Sequence, residues 1–305
     1  MKEIFAAIDV GSNAIRMIIS ERGPVGFRPI KKYRVPIRLG ADVFEAGKIA
    51  PRNMKAAARA FREFAKISKR AKANRIRAVG TAALREASNG AAFVELVKRK
   101  SQIQIDVIDG VQEASIIHLA VKHSVDLNKK NALLLDIGGG SAELTFSEDG
   151  FMSATQSFPF GTLRTLENLH RRKLGEKNIE VLLGEYVQPI ADFIHSHKSQ
   201  RKLDFLVGTG GNMEAMGKLK APLLGVDSKN YLSVREAESL FERLQLIPHK
   251  QRVEKLKMKP DRADVILPAL GVVLTVLRQS GAEKMLIPCV GLKDGILLTL
   301  IDEGS

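Results

Sequence analysis

Residues 4–19 read IFAAIDVGSNAIRMII, and residues 132–146 read ALLLDIGGGSAELTF. Each is an apolar run that ends in an aspartate, passes through a glycine-rich turn and continues into a second apolar run, the pattern of a β-hairpin. The two align without a gap, Asp9 on Asp136, Gly11 on Gly138, Ser12 on Gly139 and Arg16 on Glu143. A chain that opens the same way twice is expected to hold two halves of like topology. In both halves strand-like runs alternate with runs at helical spacing, which predicts an α/β class. The polar stretch Asp126–Asn131 is the expected joint. It sets domains at 1–127 and 128–305, with the last helix a candidate to pack back on the first domain.

In the first half the pattern predicts further strands at Arg34–Leu39, Arg75–Gly80 and Ile103–Ile108, and helices at Pro51–Ala73, Ala82–Lys100 and Val111–His123. In the second half it predicts helices at Thr162–His170, Glu176–His197, Val234–Gln245, Asp261–Gln279 and Lys293–Ile301. Leu203–Val207 and Lys284–Pro288 read as strands.

The 305 residues carry a formal charge of +14, which points to an anionic partner or substrate. A hydrophobic share of 45% with 27% charged residues is ordinary globular material, neither fibrous nor disordered. Cys289, the one cysteine, excludes an intramolecular disulfide and favours a reducing compartment; its apolar segment predicts a core position. Asp9 interrupts the N-terminal apolar stretch, so no signal peptide is expected, and the run Val265–Leu277, broken by Pro268, is too short to span a bilayer. A soluble cytoplasmic protein without a membrane partner is the expectation. Basic residues are densest at Lys69–Arg77, Arg171–Lys173 and His249–Arg262. With only three tyrosines and no tryptophan in the whole chain to stack bases, no nucleic-acid partner is expected.

The chemistry concentrates at the turns. If Gly138, Gly139, Gly140 and Ser141 form the second turn, Asp136 faces Glu143 across the ladder. Two like charges so placed are unfavourable unless a cation lies between them, and hard oxygen ligands suit Mg²⁺. The glycines let the backbone present N–H groups to an anion. In the first hairpin Gly11, Ser12 and Asn13 make the turn and Asp9 faces Arg16, which either holds a phosphate or pairs with Asp9. By its alignment with Asp136, Asp9 joins the metal candidates. A third cluster, Gly208, Thr209, Gly210 and Gly211, follows a strand and leads to Asn212 as the expected helix cap, a further anion site. Its spacing is neither that of a Walker A loop nor G-x-G-x-x-G. Glu113, in the first turn of a helix, is a candidate general base. Thr81 and Arg85, after another strand, are placed to reach the same substrate.

The stretches AIDVGSNAIRMII, RAVGTAALREASNG, VIDGVQEASIIHLAV, LLLDIGGGSAELTF, FPFGTLRT, LVGTGGNMEAM, RADVILPAL and GLKDGIL, in this order, resemble the exopolyphosphatase/guanosine pentaphosphate phosphohydrolase family. That family belongs to the sugar-kinase, heat-shock-chaperone and actin superfamily. The resemblance implies two ribonuclease-H-like domains flanking a cleft. It implies Glu113 as the catalytic glutamate, with Arg85 as a second catalytic candidate, and Asp136 and Glu143 as the carboxylates associated with Mg²⁺. Asn13, Arg85, Gly138, Gly139, Gly140 and Ser141 match phosphate-contacting positions, and Gly208 to Gly211 match the third loop. Gln112 departs from an acidic residue, Ser115 from an arginine and Ala142 from a threonine. The length looks like the short, two-domain form. The implied activity is Mg²⁺-dependent release of terminal phosphate from polyphosphate, with guanosine pentaphosphate as the competing substrate. The implied assembly is a homodimer. A non-catalytic regulator that binds guanosine tetra- or pentaphosphate is the reading from a different class.

Overall fold

A computed structural model describes residues 3–24, 26–197 and 202–302. The chain divides into two compact units, Met1–His123 with Gly291–Ser305, and Ser124–Val290.

The first unit runs β1 (Ile4–Val10), β2 (Ile15–Arg22), β3 (Phe27–Val35), α1 (Leu39–Ala46), α2 (Pro51–Arg70), β4 (Arg75–Gly80), α3 (Ala82–Glu86), α4 (Gly90–Ser101), β5 (Ile105–Val107) and α5 (Gly110–Ser124). Its sheet has the order β3-β2-β1-β4-β5, in which β1, β2 and β3 are antiparallel and β4 and β5 run parallel to β1. This is the ribonuclease-H-like arrangement the resemblance implies. Central β1 is buried on both faces, which is why its sequence is almost continuously apolar rather than alternating. The strand expected at Arg34–Leu39 lies earlier, as β3. Pro36 offers no N–H to continue the ladder, and Leu39 already starts α1. β3 is an edge strand with an exposed middle.

Pro51 opens α2 at a position where its missing N–H costs nothing. Ala57, Phe61, Phe64 and Ser68 form its buried stripe. The single helix expected at Ala82–Lys100 is two, α3 and α4. Between them Asn89 accepts from the Ile49 N–H and donates to the Ile49 carbonyl, both at 2.9 Å, which ties this bend to the start of α2. The C-terminal α13 (Leu292–Asp302) packs on β1 and β4. Arg75 and Arg77 of β4 donate to its Leu300 carbonyl and Thr299 hydroxyl at 3.2 and 2.8 Å.

The second unit runs β6 (Asn131–Ile137), β7 (Ala142–Glu148), β8 (Phe151–Phe158), α6 (Thr162–Arg171), a 3₁₀ turn at Glu176–Asn178, α7 (Ile179–His197), β9 (Phe205–Thr209), α8 (Gly211–Leu224), β10 (Tyr231–Ser233), α9 (Val234–Leu246), α10 (His249–Glu254), α11 (Pro260–Ala263), α12 (Ile266–Ser280) and β11 (Lys284–Leu286). The sheet order is β10-β11-β9-β6-β7-β8, so the β6-β7-β8 meander repeats β1-β2-β3. The helix expected at Asp261–Gln279 breaks at Asp264 and Val265. Buried Arg252 bonds the Ala263 carbonyl at 2.8 Å and the Leu244 carbonyl at 3.0 Å there, and pairs with Glu176 at 2.7 Å. Pro260–Ser280 is long and apolar enough to cross a membrane by length and composition, but 83% of that window is buried in the protein. α12 packs against α6, α7, α8 and α9. Cys289, expected in the core, is exposed. It follows β11 in left-handed backbone, with φ 59°, and that conformation carries it off the strand's buried face.

A buried polar cluster joins three elements of this unit. Lys220 of α8 is fully buried, pairs with Glu236 at 2.9 Å, and donates to the Tyr231 carbonyl at 2.9 Å. Ser233 and Glu236 form a reciprocal capping box at the start of α9.

Candidate phosphate site

In the second unit Asp136 pairs in register with Glu143, one ladder position beyond the Ile137–Ala142 pair that borders the Gly138–Ser141 turn. Ligand oxygens of the two carboxylates lie within 4.8 Å of each other. Glu143 is only 2% exposed and accepts from Ser157 of β8 at 2.7 Å, while Asp136 accepts from the Thr209 hydroxyl at the end of β9. The sequence therefore folds two acids against each other and holds each through a hydroxyl, a geometry that needs positive charge to be comfortable.

The glycine turn is fixed from one side. The N–H groups of Thr162, Leu163 and Arg164 bond the carbonyls of Gly138 and Gly139 at 2.9 to 3.1 Å, and the Arg164 guanidinium takes the Gly140 carbonyl at 2.8 Å. Gly161 makes this docking possible, because a Cβ there would lie 2.2 Å from the Gly140 backbone. In a trans peptide the N–H points opposite its carbonyl. Carbonyls held toward α6 thus leave the N–H groups of the turn aimed away from it, as an anion cradle requires.

The third glycine cluster ends β9 and opens α8. Gly210, with φ 89°, is the cap, and the expected cap Asn212 lies instead within the first helical turn. The physical reason is the left-handed backbone at Gly210, which only glycine takes readily. Asn212 is buried and accepts from Arg262 at 2.5 Å, and the Arg262 guanidinium also lies over Gly211. The helix N-terminus and this cation together favour an anion.

In the first unit Asp9 pairs in register with Arg16, and their side chains form an ion pair at 2.7 Å. Ser12 and Asn13 are buried in the turn, which is held by the Gly40 N–H on the Ser12 carbonyl at 2.8 Å. Thr81 is buried at the cap of α3, one turn before Arg85. Arg85 donates to the Ile108 carbonyl at 2.8 Å and stands 3.7 Å from Glu113, which is 6% exposed. Glu113 follows a reciprocal cap: the Gln112 N–H bonds the Asp109 carboxylate at 2.8 Å and the Asp109 N–H bonds the Gln112 amide oxygen at 3.1 Å. Gln112, which departs from the acidic residue common in the resembled family, is thus a working capping residue.

In the first unit Asp9, Gly11, Ser12, Asn13 and Arg16 share one hairpin, the Thr81 N–H reaches its Val10 carbonyl, and Arg85 meets Glu113; in the second Asp136, Glu143 and the Gly208–Asn212 turn gather beside the Gly138–Ser141 turn. Sequence reasoning did not single out Ser157, Arg164 or Arg262. The last two lie within FPFGTLRT and RADVILPAL, where an arginine beside a glycine turn or a helix start is the available signal; for Ser157 the unpredicted β8 left none.

The sequence signature of the Ppx/GppA phosphatase family matches residues 18–303. The chain belongs to that family. Ppx/GppA relatives include a guanosine-5'-triphosphate,3'-diphosphate pyrophosphatase of Vibrio parahaemolyticus, 25% identical over 98% of this chain and 60% of that protein. One of the same description from Photobacterium profundum is 27% identical over the same shares. The chain spans about 60% of the length of the curated relatives it matches. Among solved structures, a Ppx/GppA member from Aquifex aeolicus superposes over the whole of both chains with a TM-score of 0.82 and 24% identity. An exopolyphosphatase from Cytophaga hutchinsonii superposes over 99% of both, with a TM-score of 0.87 and 22% identity. These likenesses establish the Ppx/GppA fold.

Proposed function

We propose that the protein hydrolyses the terminal phosphoanhydride bond of inorganic polyphosphate with the help of magnesium. The observation that carries this reading is the opposition of Asp136 and Glu143 beside a turn whose N–H groups face away from α6. Two carboxylates within 4.8 Å, each held by one hydroxyl, are the hard oxygen donors a magnesium ion takes alongside phosphate oxygens. Bound there, the ion would supply charge that offsets the phosphate oxygens.

The chain's own residues do the rest. Glu113 accepts the proton of the attacking water, and Arg85 holds that carboxylate in place. The turn N–H groups of Gly139, Gly140 and Ser141, with those opening α8, bind the terminal phosphoryl oxygens. Phosphoryl transfer asks for little beyond such positioning and charge stabilisation. The +14 charge favours a long polyanion as substrate.

The name of the curated relatives favours guanosine pentaphosphate as a second reading. Phosphate release from both compounds, with and without magnesium, by the wild type and Glu113→Gln, separates the two. Release from the nucleotide and none from polyphosphate overturns the first reading. No release from either leaves the regulator reading.

A further inference from the structure

The solvent face of α2 carries Arg52, Lys55, Arg59, Arg62, Lys66 and Lys69, all exposed. Their steps are alternately three and four residues, which puts them in one straight stripe along the helix. At 1.5 Å per residue the stripe is about 25 Å long, with a cation roughly every 5 Å. Glu63, bonded to Lys66 at 2.8 Å, is the one acid on the helix. The exposed face of α9, by contrast, mixes signs with Arg235, Glu242 and Arg243. Among the described ion pairs of the stripe only Arg52, beside Asp42, and Lys66, on Glu63, have acidic partners, so lining up these like charges costs self-repulsion.

We propose that this stripe is a docking track for the body of a polyphosphate chain whose end lies at Arg85 and Glu113 of the same unit. This rests on the polyphosphate reading and deepens it. Three features select the occupant. The aromatic residues of α2, Phe61 and Phe64, are buried, so the track offers charge without a platform for bases. The apolar face of α2 is spent on the core, so the helix has nothing to insert into a membrane. The track also starts in the right place: Asn89, just beyond the helix bearing Arg85, is bonded to Ile49 immediately before α2. The Arg52 end is therefore the end tied to α3, and the stripe runs outward from it.

The test neutralises Lys55, Arg59, Arg62 and Lys66 to glutamine together, beside a charge-matched control with Lys250, Lys255, Lys257 and Lys259 changed to glutamine. Binding of long-chain polyphosphate is measured across a salt series, and KM for long-chain polyphosphate and for tripolyphosphate is measured on both variants. Removing four phosphate contacts should lower the salt slope of binding by about two to three. KM for the long chain should rise tenfold or more, with tripolyphosphate unchanged and the control near wild type. An unchanged long-chain affinity, an equal loss in the control, or structured RNA competing as well as polyphosphate at equal phosphate overturns the track. Binding is read independently of turnover. A wild type that binds polyphosphate along α2 without hydrolysing it would refute the hydrolase reading and keep the track.

Discussion

Arg85 reaches two partners at once, the Ile108 carbonyl that ends β5's connection and the Glu113 carboxylate on the first turn of α5. One guanidinium thereby fixes the loop and the acid that follows it. If Glu113 is the base, Glu113→Gln should lower phosphate release by about 10²- to 10⁴-fold, with far-ultraviolet circular dichroism unchanged. Arg85→Ala should lower turnover by up to about a hundredfold through lost positioning. Activity of Glu113→Gln near wild type removes Glu113 from the reaction.

Opposed carboxylates make a prediction about the metal-free protein. Glu143→Gln keeps an acceptor for Ser157 but relieves repulsion with Asp136, so it should stabilise the apoprotein by about 0.2–1 kcal/mol in denaturant unfolding. If magnesium binds between these acids as proposed, it should raise the Tm of the wild type and not that of this variant. A magnesium-induced rise in Tm that survives in both Glu143→Gln and Asp136→Asn would place the ion elsewhere.

Gly161→Ala tests how tightly α6 clamps the glycine turn. A methyl group 2.2 Å from the Gly140 backbone has no room, and the displaced helix start should cost about 1–3 kcal/mol. The N–H groups of the turn lose their aim with it. Weaker phosphate binding should therefore accompany the fall in Tm, whereas a stability loss with unchanged substrate affinity would separate the clamp from the cradle.

Burial, assisted by nearby Lys122, holds the His118 imidazole below the ordinary value of 6.5. The unfolded chain then binds a proton more readily than the native protein as pH falls below 6.5, so stability is full above that pH and declines below it. Denaturant midpoints between pH 7 and 5 should show this slope, and His118→Gln should flatten it. An equal slope in both proteins assigns the acid sensitivity to other groups.

The ladder register around both turns was legible in the sequence, because an aspartate beside a glycine turn between two apolar runs leaves few ways to close a hairpin. β8 was not, since Phe151–Phe158 lies largely exposed on the edge of its sheet and carries no strong apolar alternation. The break between α3 and α4 was hidden for another reason. It is made by Asn89 reaching Ile49, a contact distant in the chain that local propensity does not register. The Asn212 position was misjudged because asparagine is a good cap, yet a left-handed glycine two residues earlier claims that place. Lys220 gave no sign of burial. Its ion pair with Glu236 depends on β10 and α9 converging, and Lys220→Ala, which leaves that acid without its cation, should cost about 3–5 kcal/mol.

The return of α13 to β1 and β4 has a practical consequence for anyone dissecting the molecule. Neither half of the duplication can be cut out by a single scissor stroke: a fragment ending at residue 123 would expose the flank of β1 and β4 that the final helix shields, and take from Arg75 and Arg77 their Leu300 and Thr299 acceptors. An isolated first unit will need residues 291–305 spliced back through a short linker, or supplied as a peptide in trans.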